Sequence, residues 1–507
     1  MADIRKIGMT PQDIGNGFPA DALFGTGTSL TFADIIAQPR YNDCDQYSVT
    51  CELVPGLTLP LPVISAPMDT VTEWRTAVEI ALGGGFGVIH TNLDIATSVE
   101  QVERVKRSQM GIVTDPICRR STDRVTEVDA VKKKHGFSTL LITLDGKPGS
   151  HLLGLVAERH SALAEPEETL GNVMIRAEDL VTAQADNIRS WSDAKEFLRR
   201  HPMASKVPIV CSEGTVVGMF TDTDVVKMKK SPHAVVDPSS GQLLVGAAVS
   251  THEQDRERIE ALLEAGVDLL LIDSAQGSTK YAVEQIRFIR RCNGDIPIVA
   301  GNVVTPAQAA PLLKAGANIL RVGMGIGSIC TTQTVTGVGR GQLSAIYHVA
   351  KWVRESEFEA TIIADGGIAS SGDMFSALAC GASAVMLGGY LAGHDETPAE
   401  VVPHNGFRYK RYRGMGSPAA LVAGGQARYG ASSGVLVHQG VEGLVPASGL
   451  MAPALTELLA QLTKSMEYVA CDSLADLHAR LWDGTLRFEL RSHGAQREGD
   501  VHNLIRI

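Results

Sequence analysis

Eight short apolar segments, rich in β-branched residues, recur along the chain and constrain its fold more than any other feature. Most of them end in or near Gly, Ser, Asn or Asp, and helical segments fall between most of them. The strand-like segments are residues 59–68, 86–90, 243–249, 268–275, 296–303, 319–325, 361–367 and 384–390. The helical segments include residues 253–265, 281–292, 306–315 and 372–380.

This alternation predicts a parallel sheet covered by helices, because continuous apolar strands are typical of sheets buried on both faces. Eight units indicate an α/β fold of the closed (β/α)8 TIM-barrel type, whose chemistry lies at the C-terminal strand ends. The open doubly wound sheet is the rival fold, but no GxGxxG fingerprint follows the first strand. The flanks, residues 10–27 and 470–507, are expected to be irregular arms outside the barrel.

The alternation stops after the second unit, where a weak internal repeat begins. Residues 140–143 and 152–160 (LLGLVAERH) resemble residues 207–210 and 216–224 (VVGMFTDTD), and each pair predicts a strand–hairpin–helix unit. We therefore divide the chain into a first barrel part, an inserted module and a second barrel part, at residues 1–109, 110–237 and 238–507.

Composition excludes several classes of function. Aromatic residues make up 5% of the 507 residues and the net charge is −11, which argues against a nucleic-acid partner. The first residues lack an apolar signal core and no apolar run reaches membrane-spanning length, so we expect no membrane partner. The eight cysteines are scattered without a CxxC pair, which predicts reduced thiols in the cytoplasm.

One cysteine lies in an unusual setting. Residues 320–332 read LRVGMGIGSICTT, an apolar strand that runs into alternating glycines and then Cys330. Glycine permits backbone conformations that other residues avoid, and it lets backbone groups approach a bound ion or phosphate. Free cysteines are mostly small core residues, but this loop suits a nucleophile whose thiol pKa is lowered by nearby amides.

Two glycine pairs follow the last two predicted strands. Asp365-Gly366-Gly367 ends the seventh and Gly388-Gly389-Tyr390 ends the eighth. Loops at these positions commonly bind phosphate in TIM barrels, through exposed amide groups. With Ser328 on the neighbouring loop, they predict a phosphate site.

The loop around Cys330 resembles the active-site signature of the IMP dehydrogenases and their sister GMP reductases, and the resemblance extends toward both ends of the chain. It implies NAD-dependent oxidation of IMP to XMP, the first committed step of guanine nucleotide synthesis, through a covalent thioimidate on Cys330 near Thr332. The residues that it implies for IMP are Ser65, Met68, Ser328, Asp365, Gly366, Gly367, Gly388, Gly389, Tyr412, Gly414, Met415, Gly416 and Gln439.

The dinucleotide is expected above the purine. Asp273 ends a strand and is placed to bind ribose hydroxyls, although a strand-terminal Asp is otherwise an ordinary helix cap. Asn302, Arg321 and Gly323 lie on the same rim. The resemblance adds His252 near the adenine, where an ordinary surface histidine is an equal alternative.

A glycine-rich, polar segment at residues 424–431 predicts a loop that opens and closes. The resemblance implies that its Arg428 and Tyr429 activate the water that cleaves the thioimidate. From its chemistry alone, Arg428 would be an anion clamp or a solvated surface arginine, since its pKa lies far above neutral.

The resemblance also implies a potassium ion, a regulatory module and an oligomer. Carbonyls of Gly325, Gly327 and Cys330 would bind K+, with Glu498, Gly499 and Asp500 of a neighbouring subunit in a homotetramer, possibly an octamer. The insertion resembles a tandem CBS-domain (Bateman) module, in which Thr221 and Asp224 would bind a purine nucleotide. The first copy has Ala157 and His160 there, so one nucleotide site is doubtful and a ligand-free spacer stays open.

Three alternatives remain. GMP reductase, which deaminates GMP with NADPH, is favoured by residues 342–345 and 391–394, whereas Pro418, Arg428 and Gln439 favour the dehydrogenase. A flavin-dependent barrel would use the glycine pairs but not the Cys330 loop. A non-catalytic nucleotide sensor would not require Cys330, Asp365, Asp273 and Arg428 together.

Overall fold

The computed structural model describes residues 16–108, 112–113, 116–135, 139–162, 164–188, 191–238, 240–425 and 437–501. The chain divides into two compact units. One comprises Met1–Glu103 with Leu244–Ile507, and the other is Arg104–Leu243. Among the described residues, none of the helices has the length and apolar character that crossing a membrane requires.

The first unit contains a closed barrel of eight parallel strands. In chain order, β1 to β8 are Val63–Ser65, Gly87–Ile89, Val245–Val249, Leu269–Asp273, Ile298–Val303, Ile319–Val322, Thr361–Asp365 and Ala384–Leu387. Neighbouring strands pair in the order β1-β8-β7-β6-β5-β4-β3-β2. The barrel closes between β1 and β2, where Phe86 N donates to Val63 O at 2.9 Å and Ser65 N donates to Phe86 O at 3.0 Å.

Eight helices follow the strands, so the predicted TIM barrel is confirmed. In chain order, α1 to α8 are Trp74–Leu82, Ile95–Arg107, Arg256–Glu264, Lys280–Cys292, Pro306–Ala315, Gln342–Glu355, Ser371–Ala379 and Met451–Tyr468. Local sequence defines where several of these helices begin. Thr279, Thr305 and Ser370 each accept a hydrogen bond from a first-turn amide of the helix that follows. The apolar strand residues form the core; all five residues of β4 are buried.

The flanks differ from the irregular arms that the sequence led us to expect. Phe18–Pro19, Arg487–Leu490 and Ile35–Ala37 form a three-stranded antiparallel sheet in that order. Helices Ala20–Phe24, Leu474–Trp482 and His493–Glu498 accompany it. The pairing joins segments more than 400 residues apart, which short-range patterns cannot reveal.

Smaller elements complete the first unit. A hairpin comprises Cys51–Val54 and Leu57–Leu59, so the first predicted strand segment contains the end of this hairpin as well as β1. A second antiparallel sheet consists of Val401–His404, Phe407–Arg413 and Glu442–Pro446; we call it the finger sheet. Short helical segments are Thr332–Thr336, Pro418–Ala420 and the π-helical turn Leu421–Gly425.

The second unit contains two four-stranded sheets, each built on one copy of the repeat. The strand order in the first sheet is Ile175–Arg176, Leu152–Val156, Leu140–Thr143 and Cys118–Arg119. The strand order in the second sheet is Ala183–Gln184, Lys206–Val210, Val216–Thr221 and Ile112–Val113. Their helices are Thr126–His135, Glu158–Ser161, Leu170–Val173, Trp191–Arg200 and Asp222–Lys230. Both predicted strand–hairpin–helix copies are present, and Leu155 of the first shares a buried cluster with Val216 of the second.

Candidate active site

A cavity of about 510 Å³ lies at the C-terminal ends of the barrel strands. Loops after β1, β4, β6, β7 and β8 contribute to its wall, together with Asn302 of β5 and the end of the finger sheet. The predicted site residues that line it are Met68, Asn302, Arg321, Gly323, Gly325, Gly327, Ser328, Cys330, Thr332, Asp365, Gly366, Gly367, Gly388, Gly389, Tyr412, Gly414, Met415 and Gln439. The structure therefore gathers most of the predicted residues around one space.

The loop after β6 carries Cys330 into this cavity. Gly323 and Gly325 have φ of +142° and +74°, which an L side chain rarely adopts, so the loop requires glycine there. Cys330 N donates to Gly327 O at 2.9 Å, and Thr331 N donates to Gln439 O at 3.0 Å. The partly exposed thiol is therefore held by backbone bonds within its loop and to the segment at Gln439.

The thiol also belongs to a chain of side-chain hydrogen bonds. Cys330 Sγ lies 3.1 Å from Thr332 Oγ1. The Thr332 hydroxyl donates to Gln439 Oε1 at 3.1 Å, so its oxygen remains able to accept from the thiol. This chain fixes the orientation of the sulfur, and Cys330 lines the cavity.

The two glycine pairs form a small corner of the cavity. A Cβ on Gly388 would lie 2.8 Å from Tyr412 Oη and 3.2 Å from Met68 Sδ, and one on Gly389 would lie 3.3 Å from Ser328 Oγ. Burial raises the pKa of Tyr412, so its phenol stays protonated and can donate. The corner combines backbone amides and hydroxyl groups, a chemistry suited to a phosphate.

A largely buried charge cluster borders the same cavity. Arg321 on β6 donates from Nη1 to Asp273 Oδ1 at 2.6 Å and from Nε to Asp365 Oδ2 at 2.8 Å. Its side chain is 3% exposed, as against 1% for Asp273 and 16% for Asp365. Asn302 Nδ2 also donates to Asp365 Oδ2 at 2.7 Å. Asp365 is thus fixed with one face toward the cavity.

Four predicted ligand-binding residues do not line the cavity. Ser65 is fully buried at the end of β1, and its Oγ has no hydrogen-bond partner among the described residues. Asp273 is buried in the ion pair with Arg321. Gly416 lies behind Gln439, whose amide donates to its carbonyl at 3.1 Å. His252 is exposed, just before a short 3-10 helix.

The remaining predicted residues lie elsewhere. Glu498, Gly499 and Asp500 are exposed at the end of helix His493–Glu498. Arg428 and Tyr429 lie outside the described residues. Within the described part of the chain, no group of three or more His, Cys, Asp and Glu side chains could hold a metal ion.

The second unit has a cavity of its own, of about 620 Å³. Asp224 lies in the helix that follows strand Val216–Thr221, and Thr221, which ends that strand, does not line this cavity. Its wall includes Ala157, Glu158, Arg159, Asp179, Ser205 and Lys206. It therefore involves the first copy of the repeat, in which Ala157 stands where the second copy has Thr221.

Sequence reasoning missed the apolar walls of the barrel cavity. Ile326 lies between Gly325 and Gly327, Ile329 directly precedes Cys330, and Val445 reaches the cavity from the finger sheet. A signal for that sheet was present: Asn405-Gly406 has positive φ at both residues, the dipeptide of a tight hairpin turn.

Comparisons with known proteins agree with this geometry. A model of the IMP dehydrogenase / GMP reductase domain matches residues 29–502. Inosine-5'-monophosphate dehydrogenase from Toxoplasma gondii is 38% identical, over 97% of this chain and 98% of the relative. The enzyme of that name from Aquifex aeolicus is 38% identical, over 94% of this chain and 95% of the relative. The one from Schizosaccharomyces pombe is 39% identical, over 93% of this chain and 91% of the relative.

A solved structure is also similar over nearly the whole length. It is a cysteine-to-alanine variant of GMP reductase from Trypanosoma brucei, in complex with guanosine 5'-monophosphate. It is 30% identical, with a TM-score of 0.84, and the match covers 96% of this chain and all of that one. The family match and the near-full-length relatives lead to one conclusion: this chain belongs to the IMP dehydrogenase / GMP reductase family.

Proposed function

We propose that the chain is an NAD-dependent oxidoreductase that converts IMP to XMP. The observation that carries this proposal is the position of Cys330: its thiol faces a glycine-rich cavity and is hydrogen-bonded through Thr332 toward Gln439. The full-length relatives named inosine-5'-monophosphate dehydrogenase support the choice of reaction.

The nucleotide would bind with its phosphate in the corner formed by Gly367, Gly388, Gly389 and Ser328. Asp365, whose orientation Arg321 and Asn302 fix, would accept from the ribose hydroxyls. The purine would lie near Met68, with its edge toward backbone groups of Gly414, Met415 and Gly416 and the side chain of Gln439. That arrangement brings ring carbon C2 toward Cys330.

The reaction would proceed through a covalent bond to sulfur. Cys330 Sγ attacks C2 of the purine and loses its proton, while the hydrogen on C2 departs as hydride with its electron pair. Bound NAD+ supplies the acceptor for that hydride. Water then adds to the thioimidate carbon, the C–S bond breaks, and XMP and the free thiol result. The thiol proton is released to water, and Thr332 orients the sulfur for the attack through its hydrogen bond.

The rim above the purine fits a dinucleotide. Asn302 lines the cavity, and its Oδ1 is buried without a hydrogen-bond partner among the described residues, as expected of a group that awaits a polar ligand. Arg321 and Gly323 line the same wall. Asp273 and His252 would complete the dinucleotide site. Arg428 and Tyr429 would act in the hydrolysis, where they bring water to the thioimidate.

The second unit, assigned to residues 110–237, would be a tandem CBS module that binds purine nucleotides. Its cavity offers the cations Arg159 and Lys206 for phosphates and the carboxylates Glu158 and Asp179 for hydroxyl groups. Thr221 and Asp224 would form the second site. Isothermal titration of Asp224→Ala and Lys206→Ala with adenine and guanine nucleotides separates the two, since each variant weakens only its own site.

The active enzyme would be a potassium-dependent homotetramer of the cytoplasm. Carbonyls of Gly325, Gly327 and Cys330 are oxygen ligands of the kind that hard cations prefer. The exposed position of Glu498, Gly499 and Asp500 leaves them accessible to a second copy of the chain. All eight cysteines are free thiols, which supports a reducing compartment.

The direct test is an absorbance assay at the NADH band, with IMP and NAD+ in potassium buffer. We expect NADH production that stops when sodium replaces potassium. A protein that produces no NADH under these conditions, but consumes NADPH with GMP, would contradict the proposal.

GMP reductase is the second candidate, favoured by the solved structure that resembles this chain. In the dehydrogenase reading, Arg428 supplies the hydrolytic step, whereas many reductases have a glutamate where this chain has Pro418. Pro418 begins a short helix here, with Ser417 as its cap. This position therefore has no carboxylate for deamination, which is why we place the dehydrogenase first.

A further inference from the structure

A buried glutamine outside the cavity connects the two loops that form its reactive half. Gln342 is the first residue of α6 and is 2% exposed. Its Nε2 donates to Val322 O at 2.9 Å and to Asp365 O at 3.1 Å. Val322 ends β6, which leads into the Cys330 loop, and Asp365 ends β7, which leads into the phosphate loop.

The space between Gly323, the Asp365 carbonyl and the Gln342 amide is too small for a further side-chain atom. A Cβ on Gly323 would overlap the Asp365 carbonyl oxygen and lie 2.9 Å from Gln342 Nε2 and Oε1. With φ of +142°, Gly323 permits the close approach of the two strand ends. Gln342 Oε1 has no hydrogen-bond partner in the described part of the chain. The side-chain amide therefore holds the two strand ends through the two hydrogen bonds that Nε2 donates.

The start of α6 is itself fixed from outside the barrel. Gly341 N donates to Ser29 Oγ at 2.6 Å, and Leu30 N donates to Ser344 Oγ at 2.8 Å. Ser344 is 2% exposed. The N-terminal segment therefore anchors the turn that carries Gln342.

We propose that Gln342 is a positioning residue, which sets the distance between the nucleophile loop and the phosphate loop through backbone carbonyls at the two strand ends. Its side chain does not line the cavity. The thiol of Cys330 must meet C2 of a nucleotide whose phosphate is held on the neighbouring strand, so the spacing of β6 and β7 determines whether attack is possible. The proposal rests on the proposed function only for its choice of IMP as the probe.

The chain offers a matched control in Gln285 of α4. Gln285 is 1% exposed, and its Nε2 donates to Ser250 O at 3.1 Å and His252 O at 3.3 Å. It makes the same pair of bonds as Gln342, but to the loop after β3. A Gln285→Glu variant therefore has the same chemical change at a comparable depth, without contact to the Cys330 or phosphate loops.

The test measures the alkylation rate of Cys330 by iodoacetamide, with and without IMP, by peptide mass spectrometry. We expect Gln342→Glu to change the alkylation rate that is measured without IMP. We also expect the factor by which IMP slows alkylation to fall about tenfold to a hundredfold, since a shift of about 1 Å in a site has effects on that scale. Gln285→Glu should retain the wild-type rate and protection.

Folded Gln342→Glu with a wild-type alkylation rate and wild-type protection would overturn the proposal. Equal changes in both glutamine variants would overturn it as well, because they would show a general loss of packing. Should the charged variant not fold, Gln342→Met removes the donors at similar volume and carries the same test. If IMP does not slow alkylation of Cys330 even in the wild type, the proposed function fails. The alkylation rates measured without IMP still decide the role of Gln342 in that case.

Discussion

The Cys330 sulfur and the Thr332 hydroxyl oxygen lie 3.1 Å apart, and the hydroxyl in turn donates to Gln439 at 3.1 Å. A nucleophile, a hydroxyl and an amide thus form one hydrogen-bonded chain. A 180° rotation of the Gln439 amide would let Nε2 donate to Thr332, whose proton could then point at the sulfur. The chain can therefore accommodate both a thiol and a thiolate.

Removal of the hydroxyl should slow the chemistry more than it weakens binding. We expect Thr332→Val to lower kcat about fivefold, the scale of one lost hydrogen bond of roughly 1 kcal/mol, with little change in the KM for IMP. Steady-state kinetics measures both constants. The control is Thr336→Val, which removes an exposed hydroxyl one turn later on the same helix. Equal effects of the two variants would contradict a role for the hydrogen-bonded chain.

The corner at Gly388 should tolerate no side chain. In Gly388→Ala the new methyl group would lie 2.8 Å from Tyr412 Oη, in the space that we assign to the phosphate. We expect the KM for IMP to rise at least about tenfold, the cost of roughly 1.4 kcal/mol of lost binding. Gly443→Ala, on the finger sheet with open space around it, should behave as wild type. An unchanged KM in Gly388→Ala would place the phosphate elsewhere.

Arg321 should contribute to stability as well as to the site. Its loss in Arg321→Gln leaves the carboxylates of Asp273 and Asp365 without their shared cation, and a broken buried pair costs about 3–5 kcal/mol. Chemical denaturation followed by tryptophan fluorescence measures this loss. The exposed Arg291→Gln should stay within about 0.5 kcal/mol of wild type.

A second substitution tests the cause of that loss. In Arg321→Gln/Asp273→Asn, one of the two uncompensated charges is gone, so the double variant should recover part of the stability. A double variant that is less stable than Arg321→Gln would show that packing, rather than charge, dominates at this position.

Because the His478 side chain is buried, we expect the protein to lose stability in mild acid. Burial lowers the pKa of His478, and its Nε2 lies 3.0 Å from Leu378 O. The unfolded chain therefore binds a proton below its ordinary pKa of about 6.5, whereas the folded chain resists it. The stabilising contribution of neutral His478 is complete above that pH and is lost as the pH falls below it.

The slope from one such group is at most about 1.4 kcal/mol per pH unit. Thermal unfolding between pH 7.5 and pH 5 should therefore show a smaller acid loss in His478→Gln, which keeps a donor for the Leu378 carbonyl. The exposed His493→Gln should follow the wild-type profile. Identical slopes in all three proteins would contradict the role of His478.

Much of the barrel was predictable because its signals are local. The apolar runs of β4 and β5 lie inside the predicted segments 268–275 and 296–303, and α5 has the predicted bounds. The sheet that joins Phe18–Pro19 to Arg487–Leu490 was not predictable, because it pairs distant segments with no periodic pattern. The described parts of the arms therefore contain regular helices and strands.

The site was predictable where glycines and strand ends define it, as at Gly367 and Gly388. The ion pair between Arg321 and Asp273 was not, because both residues were assigned to the dinucleotide and nothing in the chain order places them 2.6 Å apart. Gln342 escaped for the same reason: it was noted only as part of a resemblance to reductases, and its two carbonyl partners belong to different strands.

The covalent step at Cys330 is tested most directly by mass spectrometry of enzyme quenched in acid during turnover of IMP and NAD+. The variant Arg428→Ala is suited to this measurement, because slow hydrolysis should let the adduct accumulate after a burst of NADH. We predict a peptide that carries the purine nucleotide on Cys330 in this variant, and none in Cys330→Ala, which should still bind IMP. NADH production without any adduct on Cys330 would contradict the account.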